Sequence, residues 1–456
     1  MPITQQPLEI FLTPVKAALV DTDKDYLQVL ARLRAPKDSG IPRTPLSISI
    51  VIDRSGSMRG DKLSAAKECT LEFIERMSDS DEVCIVTYDT VINVIMPLTQ
   101  VSLVRHELTM LLAAIDTGGN TDLHGGWLKG AELLAPRTRE NRMCRVILLS
   151  DGQANHGITS VNTITAQVSQ LAQSGISTST VGIGMGFNEE LMTAMAIAGQ
   201  GTALYGDRGE DLAEPFEAEI SLLSSLAWRD VSLEIQSDTH RWIMHNDYAK
   251  INYHSWKMPS IASNSEAWMA LSVAMDSALR AQLRSEDHTA LKVVVKAKDV
   301  DGMVHIFKAR LPNLPRVSMV EYAALIEDEL AVRRFIEIEA ADIQRAARVA
   351  VRRRDWNKVE AMLHQIEEKA HDNPWLMSTL EVLRNLLAKR DQNKMEKELM
   401  YSSYSMKSRL SEVDEGNYRS QSEEIEKMAF LRRKSDQGRR SSILSLIHIS
   451  EPTRPY

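Results

Sequence analysis

Cysteine, aromatic side chains and long apolar runs are all scarce in this 456-residue chain, and each shortage excludes a class of protein. Its three cysteines, Cys69, Cys84 and Cys144, stand singly in apolar segments, without the short spacing of a zinc or redox motif. They read as reduced core residues. No run approaches the ~20 apolar residues of a membrane span. The opening MPITQQPLEIFL has neither the basic region nor the apolar core of a secretory signal. Positive charge is not in excess: 54 Lys and Arg against 62 Asp and Glu leave a formal charge of -8, which argues against a broadly basic nucleic-acid binder. A glycine-rich phosphate loop, a nucleophile elbow and an HExxH pair are all missing, so an enzyme mechanism has no starting residue. The expectation is a soluble cytoplasmic protein that is not an enzyme and has no nucleic-acid partner and no membrane span.

What is present falls into blocks. Residues 1–45 contain LEIFL, VKAALV and YLQVLARLRA, which suit two or three half-buried strands of a β domain. Over 46–223, short apolar strands (SISIVID, EVCIVTYD, RVILLSD, ISTSTVGIG) alternate with helical stretches. VINVIMPL follows EVCIVTYD after a very short turn and predicts a hairpin with an antiparallel edge strand. The order implies a doubly wound, mostly parallel α/β sheet covered on both faces. Residues 228–312 return to strands, so the α/β unit reads as an insertion in a β domain. Residues 317–410 show helical periodicity, with Asn373-Pro374 opening one helix. Residues 411–443 are polar and read as a disordered tail. LSLIHISEPTR, within 444–456, resembles the translation of a sequencing-adapter sequence, which implies that the native C-terminus is missing.

The first strand of the α/β block ends at Asp53, followed by hydroxyls at Ser55 and Ser57. In a doubly wound sheet ligands bind beyond the carboxyl ends of the strands, so DRSGS lies at the binding edge. Two further loops fall there: DTGGNTDLHGG, with Thr121, and VILLSDGQANHG, with Asp151. All five groups offer hard oxygen, which suits Mg²⁺ or Mn²⁺ over zinc. Hydroxyl ligands are neutral, so a metal held this way keeps attracting anions.

These elements resemble the von Willebrand factor A family and its metal-ion-dependent adhesion site. Carried over residue by residue, the resemblance implies metal ligands at Asp53, Ser55, Ser57, Thr121 and Asp151, direct or through water, with a coordination position left for an Asp or Glu side chain of a protein partner. It spans about Leu46 to Leu223. The flanking strands resemble the arrangement in bacterial relatives of inter-alpha-trypsin inhibitor heavy chains and chloride-channel-like proteins.

Other readings stand beside this one. The plain alternative for DRSGS is a helix N-cap region, where Ser and Asp are common, but it leaves Thr121 and Asp151 as coincidences. A metal-dependent hydrolase would need a base, for which His124 and His156 are the candidates, although both read more simply as loop residues. An accessory subunit of an AAA+ ATPase is a third reading. Trp228, Trp242, Trp256 and Trp268 read as packing residues, and the run Arg352 to Arg354 as a solvated helix face.

Overall fold

The computed structural model describes residues 8–20, 26–36, 43–151, 154–184, 186–206, 216, 219–220, 222–236, 242–275, 291–370, 373–408 and 411–412. The stretch expected to be a disordered tail lies outside these residues from 413 onward, as do residues 444–456.

Three strands open the chain: β1 (Glu9–Pro14), β2 (Leu19–Val20) and β3 (Tyr26–Arg34). The α/β unit comes next, with β4 (Leu46–Asp53), α1 (Asp61–Glu75), β5 (Glu82–Tyr88), β6 (Ile92–Gln100), α2 (Leu123–Leu134), β7 (Met143–Ser150), α3 (Val161–Gln173), β8 (Ile176–Ile183), α4 (Glu189–Ala198) and β9 (Gln200–Gly206). Its sheet runs β6-β5-β4-β7-β8-β9, parallel throughout except for the antiparallel edge pair β5–β6. All eight residues of β4 are buried. Such a strand must be apolar or small on both faces, which is how LSISIVID reads. One face packs on α1 through Ile48, Ile50, Ile52 and Phe73, and the other on α2 and α3 through Val51, Trp127 and Ile164.

The chain then returns to strands: β10 (Leu226–Gln236), β11 (Trp242–Met244), β12 (Lys250–Asn252), β13 (Ser255–Lys257), β14 (Ile261–Ala262), β15 (Ser265–Ala274), β16 (Lys292–Lys298), β17 (Val304–Arg310) and β18 (Arg316–Val317). β15 pairs antiparallel with β3 over nine residue pairs, Glu266↔Arg34 to Ala274↔Tyr26, joining segments on either side of the α/β unit. One sheet, β1-β3-β15-β11, faces a second, β12-β13-β10-β16-β17, across a shared core of Val29, Leu33, Trp228, Leu233, Met269 and Val295. Trp256 is buried in this core with Trp228, Trp242 is half-buried against it, and Trp268 is buried on the other face of the first sheet. β3 is more deeply buried than the half-buried strand expected, because a helix covers its outer face: Leu30 and Trp268 pack on Ala331 and Ile338.

That helix is α5 (Glu329–Arg352), succeeded by α6 (Trp356–Lys369), α7 (Pro374–Lys389) and α8 (Gln392–Ser408). Asp328, Asp355 and Asn373 cap α5, α6 and α7 by accepting the N–H three residues on, each supplying an oxygen to an otherwise unpaired donor. Two expectations change here. Ser411–Glu412 adds a short strand to β15 inside the stretch expected to be disordered. Arg352 is not merely solvated: it pairs with Glu190 of α4 and Glu396 of α8, because the turn that ends α5 lies against the α/β unit. Among the described residues no helix is long and apolar enough to cross a membrane.

Candidate functional site

β4, β5 and β7 all end at one edge of the α/β sheet, and the loops beyond β4 and β7 meet there with the 114–122 loop that leads into α2. Asp53 closes β4 and is buried. The Ser55 N–H donates to its Oδ1 at 2.8 Å, and the Ser150 hydroxyl to its Oδ2 at 2.7 Å. The Ser55 and Ser57 hydroxyls lie 3.1 Å apart, and Ser57 Oγ donates to Asp151 Oδ1 at 2.8 Å. The second loop is tied to the first through main chain: Gly56 N–H donates to the Gly119 carbonyl at 3.1 Å, and Gly118 N–H to the Arg54 carbonyl at 2.7 Å. The third is tied to the second at Thr121, whose N–H donates to Asn155 Oδ1 at 2.8 Å and whose carbonyl accepts from Asn155 and His156 at 3.2 Å. Thus Asp53, Ser55, Ser57 and Asp151 form one continuous hydrogen-bonded cluster, and Thr121 reaches the same edge on a loop bonded to both others. Ser57 is exposed at the mouth, while the other four are buried.

Burial pushes the Asp53 carboxyl above the ordinary aspartate value; the Ser55 and Ser150 hydrogen bonds offset part of this, and the Asp151 charge adds to it. Tyr88 lies fully buried beside Asp53, and burial followed by the Asp53 charge raises its phenol well above the usual range. Among the described residues no three His, Cys, Asp or Glu side chains converge on a point. The donor set here is instead two carboxylates and three hydroxyls, all hard oxygen, which fits a small divalent ion such as Mg²⁺ or Mn²⁺.

Four supporting residues escape a reading of sequence alone. Ser150 holds Asp53, Asn155 holds Thr121, and Lys62 forms an ion pair with Asp151 Oδ2. Asp89, just past β5, accepts from Val91 N–H at 2.6 Å, from Gly119 N–H at 3.0 Å and from Arg54 at 2.9 Å. Burial works to raise the Asp89 pKa, but these donors outweigh it and hold the carboxyl below its ordinary value. A Cβ at Gly118 would collide with Asp89 Oδ2, so this approach of loop to carboxylate requires glycine. The strand-end rule that singled out Asp53, applied at the end of β5, would also have found Asp89.

Of the two histidines, His124 is engaged elsewhere, while His156 stays on the loop beside Thr121. His124 Nε2 shares a 2.6 Å hydrogen bond with Gln167 Oε1, and His156 Nδ1 sits 3.9 Å from Asp122 Oδ2.

Residues 47–217 match the model of the von Willebrand factor type A domain. The Escherichia coli protein YfbK is 25% identical over 220 residues, 48% of this chain and 38% of that one. Human inter-alpha-trypsin inhibitor heavy chain H3 is 28% identical over 184 residues, 38% of this chain and 20% of its own length. A Synechocystis protein, sll0103, is 23% identical over 46% of this chain, so the chain spans about half the length of that relative, 49%, and less of the others. Among solved structures, a von Willebrand factor type A protein from Catenulispora acidiphila superposes with a TM-score of 0.68 at 17% identity, over 90% of this chain and 98% of that one. The ArnB paralog VWA2 from Sulfolobus acidocaldarius does so at 0.63 and 14%, over 88% and 99%. These two likenesses extend the shared fold to the β and helical parts of the chain. The α/β unit, with the strand order and the loop cluster described above, is a von Willebrand factor type A domain.

Proposed function

We propose that this domain captures an Asp or Glu side chain of a protein partner through a Mg²⁺ or Mn²⁺ ion held by Asp53, Ser55, Ser57, Thr121 and Asp151. A von Willebrand factor type A domain serves protein–protein interaction in general; the ion and the carboxylate are the proposal. The observation that supports it is the mutual bonding of the three loops: Asp53, Ser55, Ser57 and Asp151 share hydrogen bonds, and Thr121 lies on a loop bonded to both others. Bound there, the ion would supply a Lewis-acidic position for an incoming carboxylate. The chain's own residues do the rest: Ser150 and the Ser55 N–H orient Asp53, Asp89 fixes the Gly118–Gly119 turn, and Ser57 sits at the mouth. Binding is favoured over hydrolysis because His124, one of the two candidate bases, is buried and bonded through Nε2 to Gln167. A cytoplasmic setting goes with this reading and is supported by three buried cysteines that remain thiols.

The test is affinity capture with the full chain as bait, in Mg²⁺ and in chelator, using wild type, Asp53→Ala and Ser55→Ala. Partner capture should require the ion and be lost in both variants, with circular dichroism unchanged. Capture that persists in chelator sinks the proposal.

A further inference from the structure

Lys62, the second residue of α1, places its ammonium on Asp151 Oδ2 and donates to the Ser57 carbonyl at 3.3 Å. The Asp151 side chain is 0% exposed and that of Lys62 34%, so the pair closes the cluster from the solvent side. The lysine stem runs over Gly184, just past β8, where a Cβ would stand 3.0 Å from Lys62 Cε. Gly184 has φ +76° and donates its N–H to the Gly206 carbonyl at 2.8 Å, so the backbone there is held in a form that leaves the path open. Three elements, α1, the end of β7 and the end of β8, thus converge on one ammonium. Both Asp151 oxygens are engaged within the chain, Oδ1 by Ser57 and Oδ2 by Lys62.

We infer that Lys62 is an internal counter-cation of this site: its ammonium neutralises Asp151, leaves Oδ2 when a divalent ion takes that carboxylate, and thereby sets the metal affinity. The inference rests on the metal reading above. Its physical basis is competition. An ammonium and a divalent ion sharing one buried carboxylate repel each other at a few ångströms, where surrounding protein screens far less than water does. Removing the lysine therefore strengthens metal binding, whereas a residue that merely braced the loop would weaken it.

Two measurements test this on the full chain. In calorimetric titrations with Mg²⁺, Lys62→Met should bind about tenfold tighter than wild type, the shift that a change of 1.4 kcal/mol in binding free energy produces, and Lys62→Arg should stay close to wild type. If Lys62→Met does not fold, Lys62→Gln gives the same comparison. Amine acylation followed by peptide mass spectrometry should show Lys62 labelling several-fold faster in saturating Mg²⁺ than in chelator, with the remote Lys129 unchanged. Equal or weaker Mg²⁺ binding in the charge-removing variant overturns the inference, and so does Lys62 labelling that ignores the ion. Wild type that takes up neither Mg²⁺ nor, in the same titration, Mn²⁺ overturns the metal reading itself and this inference with it.

Discussion

Asp53 shows what a single residue in this site requires. Its carboxyl is buried, so each of its oxygens needs a donor, and one of the two comes from Ser150 on a neighbouring strand. The parallel register pairs Ile52 with Leu149, which brings the next residues, Asp53 and Ser150, level with each other. That neighbour was not legible in the sequence, because 97 positions separate the two and only the strand order joins them. Asp53, Ser55 and Ser57 were legible, since a strand end and alternate hydroxyls are local signals. Ser150→Ala should lower stability in chelator by about 1–2 kcal/mol, the usual cost of leaving a buried acceptor short of a partner. Saturating Mg²⁺ should return part of that loss, because bound metal stabilises the state that binds it. Denaturant melts with and without Mg²⁺ read both effects; a variant as stable as wild type in chelator would show that the Ser150 bond carries no net weight.

At the scale of elements, α2 illustrates packing that overrides propensity. Its sequence LHGGWLKGAELL holds three glycines, which weaken a helix by up to about 1 kcal/mol each relative to alanine. The structure gives the reason for two of them. A Cβ at Gly126 would lie 2.5 Å from the Tyr88 ring, and one at Gly130 would lie 2.5 Å from Val51 Cγ2. The glycines let α2 close onto β4 and β5, and in doing so set the second loop beside the first. Asp122 caps the start of this helix by accepting from Gly125 N–H, but which face presses on the sheet depends on β4 and β5 lying side by side. Gly130→Ala should therefore destabilise the domain by about 1–3 kcal/mol through overpacking, despite its better helix propensity. Chemical denaturation measures it, and a stabilised variant would mean that the helix can shift outward at little cost.

At the scale of the whole molecule, the helical region is joined to the von Willebrand factor type A domain by charge, at the start of α4. Glu189 meets Arg348 of α5 at 3.0 Å and Lys397 of α8 at 3.5 Å, while Glu190 meets Arg348 and Arg352. Lys397 also lies 3.6 Å from the centre of the Phe187 ring, within an aromatic group formed with Tyr205 and Tyr401. Helical periodicity made α5 to α8 readable as helices, but the run of arginines carried no sign of its partners. Of the partners of Arg352, Glu396 lies 44 positions on and Glu190 162 positions back, and only the tertiary fold brings them together.

The Glu189 carboxylate gives this junction a pH dependence whose sign is set by its surroundings. Burial pushes its pKa up, but its own backbone N–H, Lys397 and Arg348 outweigh that and hold it below the ordinary glutamate value. A carboxyl whose folded pKa is depressed contributes stability that is present above the unfolded value and is lost as pH falls through the folded one. Glu189→Gln should accordingly cost about 1–3 kcal/mol at neutral pH, where it leaves two cations facing an amide. The gap should narrow once pH drops below the ordinary glutamate range, because wild type then loses the same charge. Unfolding midpoints across a pH series for the two proteins decide it. A gap that stays constant into acid would mean that Glu189 acts by packing, and that the aromatic contacts around Phe187, not the ion pairs, hold the helical region in place.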